Sequence, residues 1–193
     1  SELVVVADGT ADPRTVALDL LAQAEHDPVA LPILVALGAA TAEAVDAALG
    51  EALRDLPTRD TAAAALARGF CVVAGDLGEA AELCDRIAPE HLQLSVAEPA
   101  ALRPLLHHYG ALFLGRGGCE VLGDYGLGPN HVLPTGGGAR RTGGLSVLTF
   151  LRVRTYIDLA DPALARDALE DAAALADLEG LAAHAAAARI RTR

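Results

Sequence analysis

Leu3-Val4-Val5-Val6-Ala7 leads into Asp12-Pro13 near the start of the chain, and this valine run followed by a helix start sets the architecture. A short, continuously apolar run of this kind is typical of a strand buried on both faces of a sheet. Asp12-Pro13 predicts a helix start, because proline is favoured at the first helical position. The chain therefore opens with a strand and a helix in sequence.

The same alternation continues along the next hundred residues. Further short apolar runs predict strands at residues 31–37, 70–73, 92–96 and 111–114. Helices are predicted from residue 13 to near residue 27, at 42–56 with Thr41 as the cap, and at 61–68, 76–87 and 99–109. Strands that alternate with helices predict an α/β fold built on a parallel sheet.

The pattern changes after Gly115. Residues 115–144 are rich in glycine and show no regular periodicity, and a loop of this length inside a compact domain is typical of a functional segment. Beyond it, helices are predicted at 145–159, 162–178 and 180–190. We therefore expect an α/β domain over residues 1–144 and a small C-terminal helical domain over residues 145–193.

Composition limits the classes of partner and compartment. The 193 residues are 52% hydrophobic and 21% charged, as in a globular protein, and the net charge of -11 argues against nucleic acid or an anionic membrane. No apolar run approaches the roughly 20 residues of a membrane span, and no signal peptide opens the chain. The sparse cysteines Cys71, Cys84 and Cys119 indicate reduced thiols and a cytoplasmic protein, each with a buried apolar role as the alternative. The chain contains no methionine, so we expect upstream sequence to be missing.

Two short clusters combine amide, imidazole and carboxylate groups. Gln23 and His26 are three residues apart, so on a helix they would share a face and form half of a metal site, or else an ordinary surface or core pair. Glu90 and His91 follow Pro89, which ends a predicted helix. A carboxylate beside an imidazole can act as an acid/base pair, and the alternative is a histidine that satisfies helix carbonyls.

A third cluster lies in the glycine-rich segment. Asp124 stands between Gly123 and Tyr125, and Asn130 and His131 follow closely. Polar residues on a loop made flexible by glycine suit a binding site, although Asp124 could equally form a simple turn. The later glycines 136–138 lack the lysine and serine or threonine of a nucleotide-binding loop, which excludes that motif.

Taken in order, these stretches resemble histidinol dehydrogenase, and the chain resembles its C-terminal half. The similarity rests on the stretches at residues 20–28, 87–92, 123–125, 128–135, 146–147 and 181–184. It implies that the family's N-terminal half, which supplies most of the NAD site, is absent, so that the sheet of this chain is an incomplete Rossmann-like layer. NAD-contacting residues are therefore not assigned.

The resemblance also implies a role for each candidate residue. Zinc, one ion per site, would be bound by Gln23, His26 and Asp124, and by His184 of the partner subunit in a homodimer. Glu90 and His91 would be catalytic. Substrate would contact Ser1, His131 and Glu179, with Glu179 again contributed across the dimer. The reaction would be the NAD-dependent oxidation of L-histidinol to L-histidine through the aldehyde, the last step of histidine biosynthesis.

Three functions remain open from the sequence. The first is an NAD-dependent, zinc-containing histidinol dehydrogenase. The second is a non-catalytic module that retains the zinc and histidinol site without the NAD half. The third is a zinc hydrolase in which Glu90 activates water, which is disfavoured because the H-E-x-x-H helix motif is absent.

Overall fold

The fold is an α/β sheet followed by a helical segment. The computed structural model describes residues 1–127, 130–159 and 161–192. The five strands are β1 (Glu2–Ala7), β2 (Leu31–Leu37), β3 (Phe70–Ala74), β4 (His91–Ser95) and β5 (Ala111–Leu114). The α-helices are α1 (Pro13–Ala24), α2 (Ala39–Arg54), α3 (Arg59–Leu66), α4 (Leu77–Ile87), α5 (Pro99–Leu102), α6 (Glu120–Asp124), α7 (Arg166–Leu178) and α8 (Ala182–Arg189).

All strand pairs in the sheet are parallel, and β1 lies at its centre. The strand order is β3-β2-β1-β4-β5. The chain therefore builds outward from β1 in one direction through β2 and β3, and then crosses to the other side to add β4 and β5. The neighbouring strands β1 and β4 begin at the same end of the sheet, because Leu3, the second residue of β1, is paired with His91, the first residue of β4.

The two faces of the sheet bury separate cores. Val4 and Val6 of β1 pack with α4 on one face, whereas Leu3 and Val5 pack with α1 and α2 on the other. Every residue of β1 is buried, which explains its continuous apolar run. Because Leu3 is paired with His91, the side chain of His91 projects to the α1 face of the sheet. The predicted α/β fold with a parallel sheet and C-terminal helices is confirmed.

The predicted helix at residues 145–159 is wrong. Val147–Phe150 forms one turn of 3₁₀ helix, and residues 151–159 form no helix. Val153 and Ile157 in this segment are 93% and 88% exposed. Helices this short depend on burying an apolar face, and β-branched residues have low helix propensity, so nothing stabilises a helix here.

Two further helix predictions need correction. The predicted helix at residues 99–109 is α-helical only over Pro99–Leu102 and continues as 3₁₀ helix over Arg103–Leu105, because Pro104 has no N–H to continue the helical hydrogen bonds. Thr41 does not cap α2. The helix begins earlier, after Gly38, and the Thr41 hydroxyl donates to the carbonyl of Leu37.

The chain divides into two compact units, Ser1–Phe150 and Leu151–Arg193. The first contains the sheet, and the second contains α7 and α8, which pack against each other. The domain boundary predicted after residue 144 stays a prediction. Among the helices that the structure describes, none is long and apolar enough to cross a membrane.

Candidate functional site

Candidate residues that lie far apart in sequence meet at the amino-terminal end of the sheet. Ser1 precedes β1, Glu90 precedes β4, and His26 follows α1, which returns to this end of the sheet. They surround a cavity of about 330 Å³ whose lining includes Ser1, His26, Glu90, His91, Asp124 and His131. The location is unusual, because ligands of open α/β sheets ordinarily bind outside the carboxyl ends of the strands.

Backbone packing fixes the position of Glu90 and His91. Helix α4 ends at Ile87. The next residue, Ala88, has a left-handed φ of 51° and turns the chain into Pro89 and β4. The amide of Gly110 then donates to the Pro89 carbonyl at 2.9 Å. A side chain at position 110 would place its Cβ 2.5 Å from the Glu90 carbonyl oxygen, so the close approach requires glycine.

Hydrogen bonds orient the Glu90 carboxylate. The Ser1 hydroxyl donates to Glu90 Oε2 at 2.5 Å, and the backbone amide of Glu2 donates to the same oxygen at 3.2 Å. Gln23 Nε2 donates to the Ser1 hydroxyl at 3.1 Å. A candidate zinc ligand is thereby linked through Ser1 to a candidate catalytic carboxylate.

The His91 ring is buried and has no hydrogen bond to either nitrogen among the described residues. Its Nδ1 atom lies 3.8 Å from Glu90 Oε2 and 3.7 Å from Glu120 Oε1. Burial lowers the pKa of His91 more than the neighbouring carboxylates Glu90 and Asp124 raise it. The ring is therefore held in its neutral form, which can accept a proton.

Three side chains in the site provide atoms that suit a metal ion. His26, Glu120 and Asp124 each offer one ligand atom, and these atoms lie within 4.8 Å of one another. Nearby Gln23 is fully buried, and its Oε1 atom has no hydrogen-bond partner in the described chain. Imidazole nitrogen and carboxylate oxygen are usual zinc ligands, and a buried amide oxygen without a donor would be satisfied by a cation. The residues present fit a zinc ion.

Glu120 was not predicted from the sequence. It is the first residue of α6 and only 3% exposed, and burial together with the charges of Asp124 and Glu90 raises its pKa to about 8. The available signal was its spacing of four residues from Asp124, which places both side chains on one face of a helix. Tyr125, also unassigned from the sequence, lines the same cavity.

Several details of the predicted site differ in the structure. His26 does not share a helix face with Gln23, because α1 ends at Ala24 and His26 lies in the bend that follows. Asp124 closes the short helix α6 rather than lying in a loop. His131 is exposed at the cavity, whereas Gly128 and Pro129, which open its motif, lie outside the described residues.

Glu179 and His184 belong to the second unit. Glu179 caps the carboxyl end of α7, His184 lies on α8, and both are exposed. Their contributions to a neighbouring subunit stay predictions.

Comparisons with known proteins all lead to one family. The family model described as histidinol dehydrogenase matches residues 1–192. Histidinol dehydrogenase of Nitratidesulfovibrio vulgaris is 51% identical over 187 residues, which are 96% of this chain and 43% of that protein. That of Thermus thermophilus is 44% identical over 191 residues, 99% of this chain and 46% of the relative.

A solved structure shows the same fold. The crystal structure of histidinol dehydrogenase from Elizabethkingia anophelis matches with a TM-score of 0.95 and 32% identity, covering 99% of this chain and 44% of that one. The chain thus spans less than half the length of these relatives. With nearly its whole length matched, the chain belongs to the histidinol dehydrogenase family.

Proposed function

We propose that this chain is the zinc- and substrate-binding part of an enzyme that oxidises L-histidinol to L-histidine with NAD, the last step of histidine biosynthesis. One observation carries the proposal: six predicted residues line a single cavity, although His26 and Glu90 are 64 positions apart in the sequence. The six residues are Ser1, His26, Glu90, His91, Asp124 and His131. Family membership supports the choice of substrate.

Each residue of the site has a role in this proposal. Gln23, His26 and Asp124 would hold zinc together with His184 of the partner subunit. When bound, zinc supplies a Lewis acid that orients the substrate through its amine and imidazole nitrogens without changing redox state. Ser1 and His131 contact the substrate from the cavity wall, and Glu179 of the partner subunit completes the contacts.

Two proton transfers follow from the positions of Glu90 and His91. In the first oxidation the neutral His91 ring takes the hydroxyl proton of histidinol while the carbinol carbon loses hydride to NAD, which gives the aldehyde and NADH. Glu90 then takes a proton from water as the water adds to the aldehyde carbon. The hydrate, formed as its monoanion, loses a second hydride to a second NAD, and its remaining hydroxyl proton leaves to a base as the carboxylate forms.

Two further proposals concern the oligomeric state and the cellular location. A homodimer is supported by the exposure of Glu179 and His184, which are free to reach a partner site. A cytoplasmic location is supported by Cys71, Cys84 and Cys119, which are not joined in disulfides.

A second candidate is a module that binds zinc and histidinol without oxidation. It is supported by the same cavity and metal-ligating side chains, because binding alone would require these groups as well. The Glu90–His91 pair would then mark descent from an enzyme rather than present activity.

One experiment separates the candidates. Zinc-dependent binding of L-histidinol to the purified chain is measured by calorimetry, and NADH formation is followed with NAD on the same chain fused behind the N-terminal half of the Nitratidesulfovibrio vulgaris relative. Binding with two NADH formed per histidinol supports the dehydrogenase, and the His91→Gln variant should then abolish NADH formation. Binding without NADH supports the second candidate, and no binding contradicts both.

A further inference from the structure

His91 has a second carboxylate neighbour, Glu120, in addition to Glu90. Glu120 Oε1 lies 3.7 Å from His91 Nδ1, about as close as Glu90 Oε2 at 3.8 Å. A histidine that acts as a general base through one ring nitrogen usually has a hydrogen bond at the other. That hydrogen bond fixes both the ring orientation and the tautomer. One of these two carboxylates is therefore expected to hold Nδ1.

Glu90 is the less available of the two. Its Oε2 atom already accepts hydrogen bonds from the Ser1 hydroxyl and the Glu2 amide. Glu120, in contrast, directs its Oε1 atom towards His91 Nδ1, and the Oε2 atom of the same buried carboxyl group has no partner in the described chain. A buried carboxylate without a donor is costly, and the His91 ring N–H is the donor within reach.

Packing holds Glu120 against the ring. The ring of Phe113 lies 6.1 Å from that of His91, and α6 packs on Phe113 through Gly123, where an added Cβ would lie 2.8 Å from the Phe113 ring. Glu120 is the first residue of this same helix. The 3.7 Å separation is longer than a hydrogen bond, and a small rotation of either side chain would close it without substrate.

We propose that Glu120 is a positioning residue that holds His91 through Nδ1, so that Nε2 is the nitrogen that accepts the substrate proton. The inference rests on the proposed function only in taking His91 as the base. The competing role is zinc ligation, since Glu120 also lies beside His26 and Asp124. The isosteric change Glu120→Gln separates the two roles. Loss of a positioning contact should change the His91 tautomer, whereas loss of a zinc ligand should lower the zinc affinity.

The test is nitrogen NMR of the histidine-labelled chain, without substrate, NAD or zinc, recorded at several pH values. The His91 signals are identified by their loss in His91→Gln. We expect the proton of His91 on Nδ1, and a shift of the population towards the Nε2–H form in Glu120→Gln. The matched control is Glu82→Gln on the exposed surface of α4, and it should leave the His91 signals unchanged.

Zinc titration of the same variants completes the test. Glu120→Gln should keep the zinc affinity of the unsubstituted chain. A loss of about tenfold or more would assign Glu120 to the metal and overturn the proposal. An Nε2–H tautomer in the unsubstituted chain would overturn it as well, even if Glu120→Gln failed to fold. Because the spectra need neither substrate nor turnover, failure of the proposed function would be seen separately, in the binding of histidinol.

Discussion

Ser1 donates a hydrogen bond of 2.5 Å to Glu90, although 89 residues of sequence separate them. The contact forms because β1 and β4 are neighbours in the sheet, so the residue before β1 and the residue before β4 emerge side by side. Gln23 extends the chain of hydrogen bonds by donating to the Ser1 hydroxyl. The parallel pairing of two strands thus brings together a proposed substrate contact and a proposed catalytic carboxylate.

Ser1→Ala should weaken histidinol binding. The change removes one of two donors to Glu90 Oε2 and leaves Gln23 Nε2 without its acceptor. Hydrogen bonds to a charged group contribute about 1.5–3 kcal/mol, so we expect an affinity loss of about tenfold or more, measured by calorimetry. The exposed Ser146 offers a control, and Ser146→Ala should bind normally. Equal affinity of Ser1→Ala and the unsubstituted chain would contradict the role of Ser1.

Gly110→Ala should destabilise the chain. Its Cβ would lie 2.5 Å from the Glu90 carbonyl oxygen and 3.2 Å from Pro134, so the backbone at the start of β4 must shift. Forcing an atom into such a packed position costs about 1–3 kcal/mol, which urea unfolding measures. Gly50→Ala is the matched control, because α2 has open space at Gly50 and a helical alanine should stabilise by about 0.5–1 kcal/mol. A neutral Gly110→Ala would show that the close approach is absent.

Stability of the metal-free chain should fall as pH rises from about 5 to about 8. The pKa of Glu120 is raised from 4.5 to about 8, chiefly by burial, so the folded chain keeps a proton that the unfolded chain has released in this range. The stabilisation is therefore complete below the unfolded pKa and lost as pH rises through the folded one.

Glu120→Gln should flatten this pH dependence, because glutamine does not ionise. Urea midpoints in the presence of a chelator measure the effect across the range. Glu82→Gln, on the exposed surface of α4, should retain the slope of the unsubstituted chain. A slope unchanged by Glu120→Gln would mean that Glu120 is not the titrating group.

The sequence predicted the sheet well because its strands are buried on both faces. Such strands are continuously apolar, as β1 and β2 are, and they stand out between helices of mixed composition. The prediction of a helix at residues 145–159 was wrong for the opposite reason. Val153 and Ile157 are apolar but exposed, and hydropathy alone does not reveal whether a partner surface exists.

The site was only partly predictable. The motif residues Glu90, His91 and Asp124 could be found, but their meeting depends on the strand order, which no local pattern encodes. Glu120 was missed because the glycines around α6 made the segment resemble a loop, and a helix of five residues gives no periodicity.

His184→Ala tests the proposed homodimer. If His184 of the partner subunit completes the zinc site, the change should reduce zinc affinity about 10–100-fold and make it insensitive to chain concentration. The matched control is His107→Ala, whose ring contacts Asp85 rather than any proposed zinc ligand. Zinc titrations at several chain concentrations, with ultracentrifugation, provide the measurement. An unaffected His184→Ala in a dimeric chain would refute the shared site.

The most direct test of the central claim is a calorimetric titration of L-histidinol into the chain, with and without one equivalent of zinc. We expect binding only with zinc, and its loss in His26→Ala, because His26 and Asp124 line the same cavity as Ser1, Glu90 and His131. Zinc-independent binding, or none in either condition while zinc itself binds, would contradict a site in which zinc and these residues hold histidinol together.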